Sequence, residues 1–466
     1  MNALALSMIV PFAASFLAWV VPARHKAVIS TWALGFTSLS CIAVCYAVAQ
    51  GSTPSYFRGV NPWFNISFAA DGLSAVMACI SSVVGFAIGL YSLEYMKEYE
   101  ERGTFYAWML LFIGSMMGLV FSSNLILLFC FWEMTSVCSW RLIGFYRTEK
   151  DLKAAQKAFL VTFLGASLLL AGIILVYLSY GSTEADILQG KSLTLLVSFL
   201  FLAGIVSKSA QLPFQTWLPD AGVAPTPVTA LLHAAVLVKI GVYVFARVFG
   251  VIFSAPDAFY QAVIVLSSVT ILVSAGCALV ESNIKRILAY STVSQLGYIL
   301  LALALQTPVS FAVALVYIAA HSIAKAGLFL CAGIIEHKAG TKNIYELGGL
   351  GKCMPLTSAA FILCAFSVVG IPPFFGFWPK FMTVLLSAQG SHMFAAAAAC
   401  VGAVFTLLYL MRFFNRVFLG EQAVHVKAWN ERKSIMVFVV LALGVLSLFL
   451  GIFFRFPFQG VWELVK

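Results

Sequence analysis

Apolar runs of about 20 residues follow one another along this chain with only short polar breaks between them, the length a helix needs to cross a bilayer. They fall at 3–21, 28–50, 73–96, 104–122, 124–146, 158–180, 192–212, 228–247, 258–280, 286–305, 309–335, 356–388, 393–415 and 434–454. The pattern therefore predicts an all-α polytopic membrane protein of about fourteen transmembrane helices, numbered here as spans 1 to 14. The longest polar segments, 51–70, 337–355 and 416–433, are too short to be separate domains.

Two spans are interrupted. Span 7 runs into Pro213, Pro219, Pro225 and Pro227, and span 12 into Gly370-Ile371-Pro372-Pro373. Proline removes a donor from the helix ladder and clashes with the preceding turn, so both helices must break. With spans 4–8 and 9–13 taken as units, each break falls in the fourth helix of five. A unit with an odd number of spans re-enters the membrane upside down, so the expectation is two inverted five-helix repeats with an ion path at their centre. This divides the chain into residues 1–103 (spans 1–3), 104–250 (first repeat), 251–418 (inverted repeat) and 419–466 (span 14).

Composition supports the membrane reading: 62% of residues are hydrophobic and 10% charged, with mean hydropathy +0.99. In a soluble chain a net charge of +10 would suggest nucleic acid. Here the basic residues sort by loop, and no nucleic-acid partner is expected. Loops after odd-numbered spans carry Arg24, Lys26, Lys97, Arg102, Arg147, Lys150, Lys153, Lys157, Lys285, Arg286, Lys338, Lys342, Lys352, Arg416, Lys427, Arg432 and Lys433. The opposite side holds Arg58, Lys191, Arg247, Arg455 and Lys466. By the positive-inside rule both termini are expected outside the cytoplasm, and the N-terminal run is read as a permanent span, not a cleaved signal. None of the ten cysteines forms a CxxC pair, so no metal, iron–sulfur or disulfide framework is expected. Walker, dinucleotide, HExxH and hydrolase motifs are also absent, so no catalytic centre is expected in this chain.

The candidate chemistry is the set of ionisable residues inside spans, which are expensive there and mark ion paths. Glu133 is the one carboxylate deep in a predicted span and should be paired or protonated. Lys208, Lys239 and Lys325 lie among apolar neighbours, and Lys380 follows the second break. A structural Glu133–lysine pair, and snorkelling of Lys380 and Arg412 to the interface, are the alternative readings. Tyr317, His321 and Lys325 recur at four-residue spacing and share one helix face, as a proton relay or as a satisfied polar stripe. His233 and Lys239 are six residues apart, so a link between them needs water or a neighbouring helix.

Several blocks now resemble a known family. They are DGLS at 71–74, FWEMTSVCSWRLIGF at 131–145, KSAQLPFQTWLPDA at 208–221, APTPVTALLHAA at 224–235, KRILAYSTVSQLGY at 285–298, HSIAKAGLFL at 321–330 and GIPPFFGF at 370–377. They are similar to the antiporter-like subunits of respiratory complex I, of membrane-bound group 4 hydrogenases and of multisubunit sodium/proton antiporters. CSW at 138–140 and 233–247 look most like the D-type subunit of hydrogenase 4, whereas 333–350 looks more like the large A subunit of the antiporters. The chain ends soon after span 14 without the long lateral helix of some members, so a compact subunit of a larger complex is expected.

The resemblance implies a role for each matching residue. Glu133 and Lys208 match an interacting glutamate–lysine pair, and Lys239 matches a further lysine. Tyr317, His321 and Lys325 match a relay, Lys380 a residue toward the outer exit, and Lys285 a basic residue near the cytoplasmic entry. Four departures stand out. Phe163 and Ala166 replace arginine and aspartate in span 6. Asn283 stands where an aspartate can occur, and Gly222-Val223 replace Met-Glu. Arg141 is an extra cation. The expected function is proton translocation from cytoplasm to outside within a redox-driven complex of hydrogenase type, in a prokaryotic inner membrane. A sodium/proton antiporter subunit and a transport-inactive docking subunit are the alternatives. By the same resemblance, the partners are other antiporter-like and small membrane subunits, with a peripheral redox arm on the cytoplasmic side. Iron–sulfur clusters, a nickel–iron site or quinone would belong to those partners.

Overall fold

The computed structural model describes residues 3–61, 64–421 and 431–465; Lys427 and Lys466, used above for orientation, lie outside them. The first six spans are α1 (Ala3–Val20), α2 (Ala23–Ala49), α3 (Gly72–Tyr95), α4 (Arg102–Phe121), α5 (Leu125–Ile143) and α6 (Glu149–Tyr180). There follow α7 (Leu195–Lys208), α8 (Thr226–Ile252), α9 (Asp257–Val280), α10 (Ile284–Ala304) and α11 (Pro308–Ala339). Span 12 is two helices, α12 (Pro355–Val369) and α13 (Phe377–Gln389). The chain closes with α14 (Met393–Phe418), α15 (Ile435–Ile452) and α16 (Arg455–Val465). Among the described residues, 12 helices are long and apolar enough to cross a membrane, and α7 and α12 are shorter apolar helices.

Polar side chains start these helices by taking up the free N–H groups of the first turn. Asp71 and Ser74 form a capping box on α3, as Thr148 and Asp151 do on α6 and Thr307 and Ser310 on α11. Asn124 caps α5, Thr194 α7 and Asn283 α10. Glu431 reaches the start of α12 from a distance, accepting from the Leu356 and Thr357 amides at 2.8 and 3.1 Å. Asn283 thus has a structural task that the sequence comparison did not assign to it.

Depth in the bundle is uneven. About nine-tenths of the apolar stretch of α8, α10 and α11 is buried, against 33% for α1 and 39% for α6. Of the central helices, α8 carries His233 and Lys239 and α11 carries His321 and Lys325, while α1 and α6 present apolar faces outward. All but one of the ion pairs among the described residues gather at one end of the bundle, where Lys157, Arg286 and Lys342 lie. The exception is Arg247–Asp71 at the opposite end, 2.5 Å apart. Burial alone would raise the Asp71 carboxyl. The Arg247 charge and hydrogen bonds, with the Ser74 N–H, outweigh it and hold the group well below the usual carboxylate range. This contact therefore stabilises the fold above about pH 4 and weakens as acid protonates the carboxylate.

The two breaks match residue for residue at an offset of 160. Ala210 and Gly370 both have positive φ, 50° and 86°. The Gln211 amide returns to Val206 O at 2.9 Å and the Ile371 amide to Phe366 O at 3.0 Å. Phe214 N then bonds Gln211 O, and Phe374 N bonds Ile371 O. Pro213 and Pro373 each follow a cis peptide bond. This is the local repeat that the paired proline breaks predicted.

Three features depart from the hydropathy reading. The polar segment 51–70 contains an antiparallel hairpin, Ser55–Asn61 with Phe64–Ala69, because alternating aromatic and polar residues suit a strand. α16 is an extra amphipathic helix that packs on α3 and α11. Span 8 widens into π turns at Leu231–Ala235 and Val248–Ile252.

Close packing of α6 on α7 depends on Gly165: a Cβ there would lie 1.8 Å from Ser207 Oγ and 2.9 Å from Ala203 O. Gly165→Ala is expected to cost about 1–3 kcal/mol through overpacking and to lower the thermal midpoint of the detergent-solubilised chain. An unchanged midpoint would refute this close approach.

Candidate functional site

Four lysines, Lys208, Lys239, Lys325 and Lys380, are buried in the interior, the first three with no exposed surface. Each donates to a backbone carbonyl, and none lies within 4.0 Å of a carboxylate among the described residues. Lys208, the last residue of α7, reaches Trp132 O at 3.2 Å and Ser136 Oγ at 2.7 Å on α5, with its ammonium over the Trp132 ring. Lys325 repeats this arrangement on α10, with Leu288 O at 3.2 Å and Ser291 Oγ at 2.5 Å. Lys380 takes the carbonyls of Val368 and Val369, freed where α12 ends, at 2.7 and 3.0 Å. It does not snorkel to the interface.

Lys239 is placed by the π turn of α8. The widened backbone presents the His233 carbonyl to its ammonium at 2.6 Å, so the two residues are linked directly and no third helix or water is needed. The second contact of Lys239 is His321 Nδ1 on α11, at 2.8 Å. The His233 ring stacks on Phe329 with centroids 4.3 Å apart, and neither ring nitrogen has a protein partner. Gly241 admits this part of α8 against the broken end of α7, since a Cβ would meet Ile205 O at 2.6 Å.

Tyr317, His321 and Lys325 share a face of α11 but do not bond one another; each reaches a different helix. His321 meets Lys239 on α8, Lys325 meets Ser291 on α10, and Tyr317 donates to Gln295 Oε1 on α10 at 2.8 Å. Cross-links connect Lys325 with Tyr317, whereas His321 joins Lys239. Tyr409 OH donates to Ser291 Oγ at 2.6 Å, and Gln295 Nε2 reaches Thr406 Oγ1 at 3.4 Å. The Tyr317 ring lies 6.0 Å from the Tyr298 ring, over which the Lys380 ammonium sits at 5.0 Å. Polar groups thus run across the bundle from Lys239 to Lys380.

Glu133 makes no direct ion pair with Lys208 within 4.0 Å, although the two are close enough to interact electrostatically. It lies one residue round α5 from Trp132, half-buried beside the outward-facing Met134 and Val137, and its Oε1 has no hydrogen-bond partner. Ser136 stands between the two, touching Lys208 and facing the Glu133 carboxyl. In α6, Phe163 is 48% exposed on the outer face and stacks on Phe159, whereas Ala166 is buried. Arg412 donates to the Glu281 carbonyl, and Arg141 lies beside Glu101 and Trp108 near the basic end.

Lys285 is 1% exposed at that end and pairs with Glu336 at 2.7 Å. The same carboxylate holds Lys342 at 2.9 Å and Thr226 Oγ1 at 3.2 Å. Glu336 went unnoticed because α11 extends past the predicted end of span 11. Eleven residues after Lys325 places it on the same helix face, and that spacing was readable. Ser291, Gln295 and Tyr298 at i, i+4 and i+7 of α10 were a second such signal. No group of three or more His, Cys, Asp or Glu side chains among the described residues is arranged to hold a metal ion.

Comparison with known proteins places this geometry in context. Residues 122–406 match the family model described as NADH:quinone oxidoreductase/Mrp antiporter, TM. Residues 61–106 match that of the complex I chain 5 N-terminus. The chain belongs to this family of antiporter-like membrane subunits. It is 35% identical to NADH-quinone oxidoreductase subunit L of Escherichia coli, over 99% of this chain and 78% of that one. It is 36% identical to Na(+)/H(+) antiporter subunit A1 of Staphylococcus saprophyticus over 84% of its own length, and spans 52% of that subunit. A chain of the Mrp complex from a Dietzia species superposes with TM-score 0.90 at 25% identity, over 99% of this chain and 97% of the other. A chain of an archaeal membrane-bound sulfane sulfur reductase shares the fold, with TM-score 0.90 at 23% identity.

Removing one partner of a buried ion pair costs about 3–5 kcal/mol. Glu336→Gln is therefore expected to destabilise the chain by about 3 kcal/mol, the low end, because Glu336 is partly open. Adding Lys285→Met should recover much of the loss in thermal unfolding. No recovery in the double variant would show that Glu336 acts independently of Lys285.

Proposed function

We propose that this protein is a proton-translocating, antiporter-like subunit of a multisubunit membrane complex related to complex I. The observation that carries this reading is the row of buried lysines bound to carbonyl dipoles instead of carboxylates. Lys239, Lys325 and Lys380 have no neighbouring carboxylate to lock in a proton, Lys208 has only the more distant Glu133, and buried lysine titrates readily. Orphaned buried polar atoms on Gln211, Gln215, His233 and His321 supply hydration points around that row.

In this scheme protons enter at the basic, cytoplasmic end past Lys285 and pass Lys208, Lys239 and the α11 residues. They leave by way of Lys380 to the side where both termini lie. Glu133, at the edge of the bundle, is the group through which a neighbouring subunit alters the charge near Lys208, with Ser136 as the link. Redox reactions in partner subunits drive the cycle, and any iron–sulfur cluster, nickel–iron site or quinone belongs to them. The hydrogenase-type assignment rests on 138–140 and 233–247 alone.

A second reading, exchange of sodium for protons driven by ion gradients, is favoured by the antiporter A1 relatives and by the Mrp superposition. Reconstituted complex carrying Lys208→Ala should lose at least tenfold in proton transport while assembly is retained. Full pumping in that variant would remove Lys208 from the path. Proton uptake driven by an imposed sodium gradient, with no electron donor present, would select the antiporter reading.

A further inference from the structure

A cavity of about 280 Å³ opens at the basic end, between the start of α6, the segment after the first break and the start of α10. Its lining carries five cations, Lys150, Lys153, Lys157, Arg286 and Lys342, and one carboxylate, Asp220. Asp220 is already shared by Lys157 at 2.7 Å and Arg286 at 2.6 Å. Lys153 makes only an exposed contact with Glu149 one turn away. The volume lies just below the roughly 300–1,000 Å³ typical of small-molecule sites. Lys342 is held by Glu336 and Arg286 also by Glu281, so the charge left open to a ligand is that of Lys150 and the exposed Lys153, and the matching ligand is an anion.

The shape of α6 says which anion. Lys150, Lys153 and Lys157 lie at i, i+3 and i+7 on one face, and the same face continues into the membrane as Leu160 and Leu164, 63% and 54% exposed. Cations at headgroup level followed by open leucines at acyl depth match an amphiphile whose phosphate enters the cavity and whose chains lie along the helix. A free phosphate would use the cations and leave the leucines uncovered.

We propose that this cavity binds the phosphate of one anionic phospholipid, with an acyl chain lying against Leu160 and Leu164. The site is separate from the buried lysine row and does not depend on which ion the protein moves. Lys157 and Arg286 are held by Asp220, so Lys150 and Lys153 are the cations free to close on the headgroup.

Native mass spectrometry of the full chain in detergent tests this, with phosphatidylglycerol, phosphatidylcholine or inorganic phosphate added separately. Phosphatidylglycerol should saturate one site and phosphatidylcholine should not. A basic residue near an anionic surface contributes about fivefold in affinity. Lys150→Gln/Lys153→Gln should therefore weaken phosphatidylglycerol binding about 25-fold, and Val223→Glu, which adds a carboxylate to the lining, about fivefold. Both variants keep the Lys157–Asp220–Arg286 contacts, and unchanged melting profiles check that the fold is intact. Equal binding of the two lipids, or unaltered binding in both variants, overturns the proposal. Displacement of the lipid by inorganic phosphate assigns the cavity to a soluble anion instead. Loss of the lipid when the chain sits in its purified complex assigns it to an acidic partner segment.

Discussion

In hydrocarbon, every backbone polar group and every charge must be answered from within the protein. This chain answers both demands with the same contacts. Carbonyls on interrupted or widened helices accept from lysine ammoniums that would otherwise be stranded: Val368 and Val369 from Lys380, and His233 from Lys239. Lys208 and Lys325 lean on intact helices, each adding a serine hydroxyl to one carbonyl. At Lys239 and Lys380 the irregular backbone and the buried cation are therefore one structural problem with one solution.

That solution explains the layout of the bundle. Irregular backbone is tolerated only where neighbours surround it: the π turns of α8 and the breaks of spans 7 and 12 lie against the continuous, deeply buried α10 and α11, while regular helices such as α1 and α6 face outward. Carboxylates collect at the two ends, where water and arginine or lysine partners are available, as in Lys285–Glu336–Lys342 and Arg247–Asp71. The middle of the bundle holds its lysines with Glu133 as the one nearby carboxylate among the described residues.

Much of the architecture was legible because hydropathy and proline act locally. The spans, both breaks and the burial of Lys208, Lys239 and Lys325 follow from residues within about 20 positions of one another, and the pairing of the breaks follows from comparing two such local patterns 160 residues apart. Contacts decided by rotation about a helix were not legible. Glu133 and Trp132 are adjacent in sequence, yet only the Trp132 carbonyl faces Lys208. A π turn cannot be read from periodicity, so the His233–Lys239 contact seemed to need an intermediary. Ser291, Gln295 and Tyr409 escaped notice because a hydroxyl or amide on an apolar helix looks like any other until its neighbour is known.

The matching breaks are finished differently. In the first, Gln211 Nε2 caps the Ser209 carbonyl at 3.0 Å; in the second, the equivalent carbonyl of Val369 is capped by Lys380 at the same distance. An amide offers the same hydrogen bonds at any physiological pH. An ammonium gives up a donor and a unit of charge when it releases its proton. The grip of one joint is therefore independent of protonation, while that of the other is tied to the charge state of a single side chain.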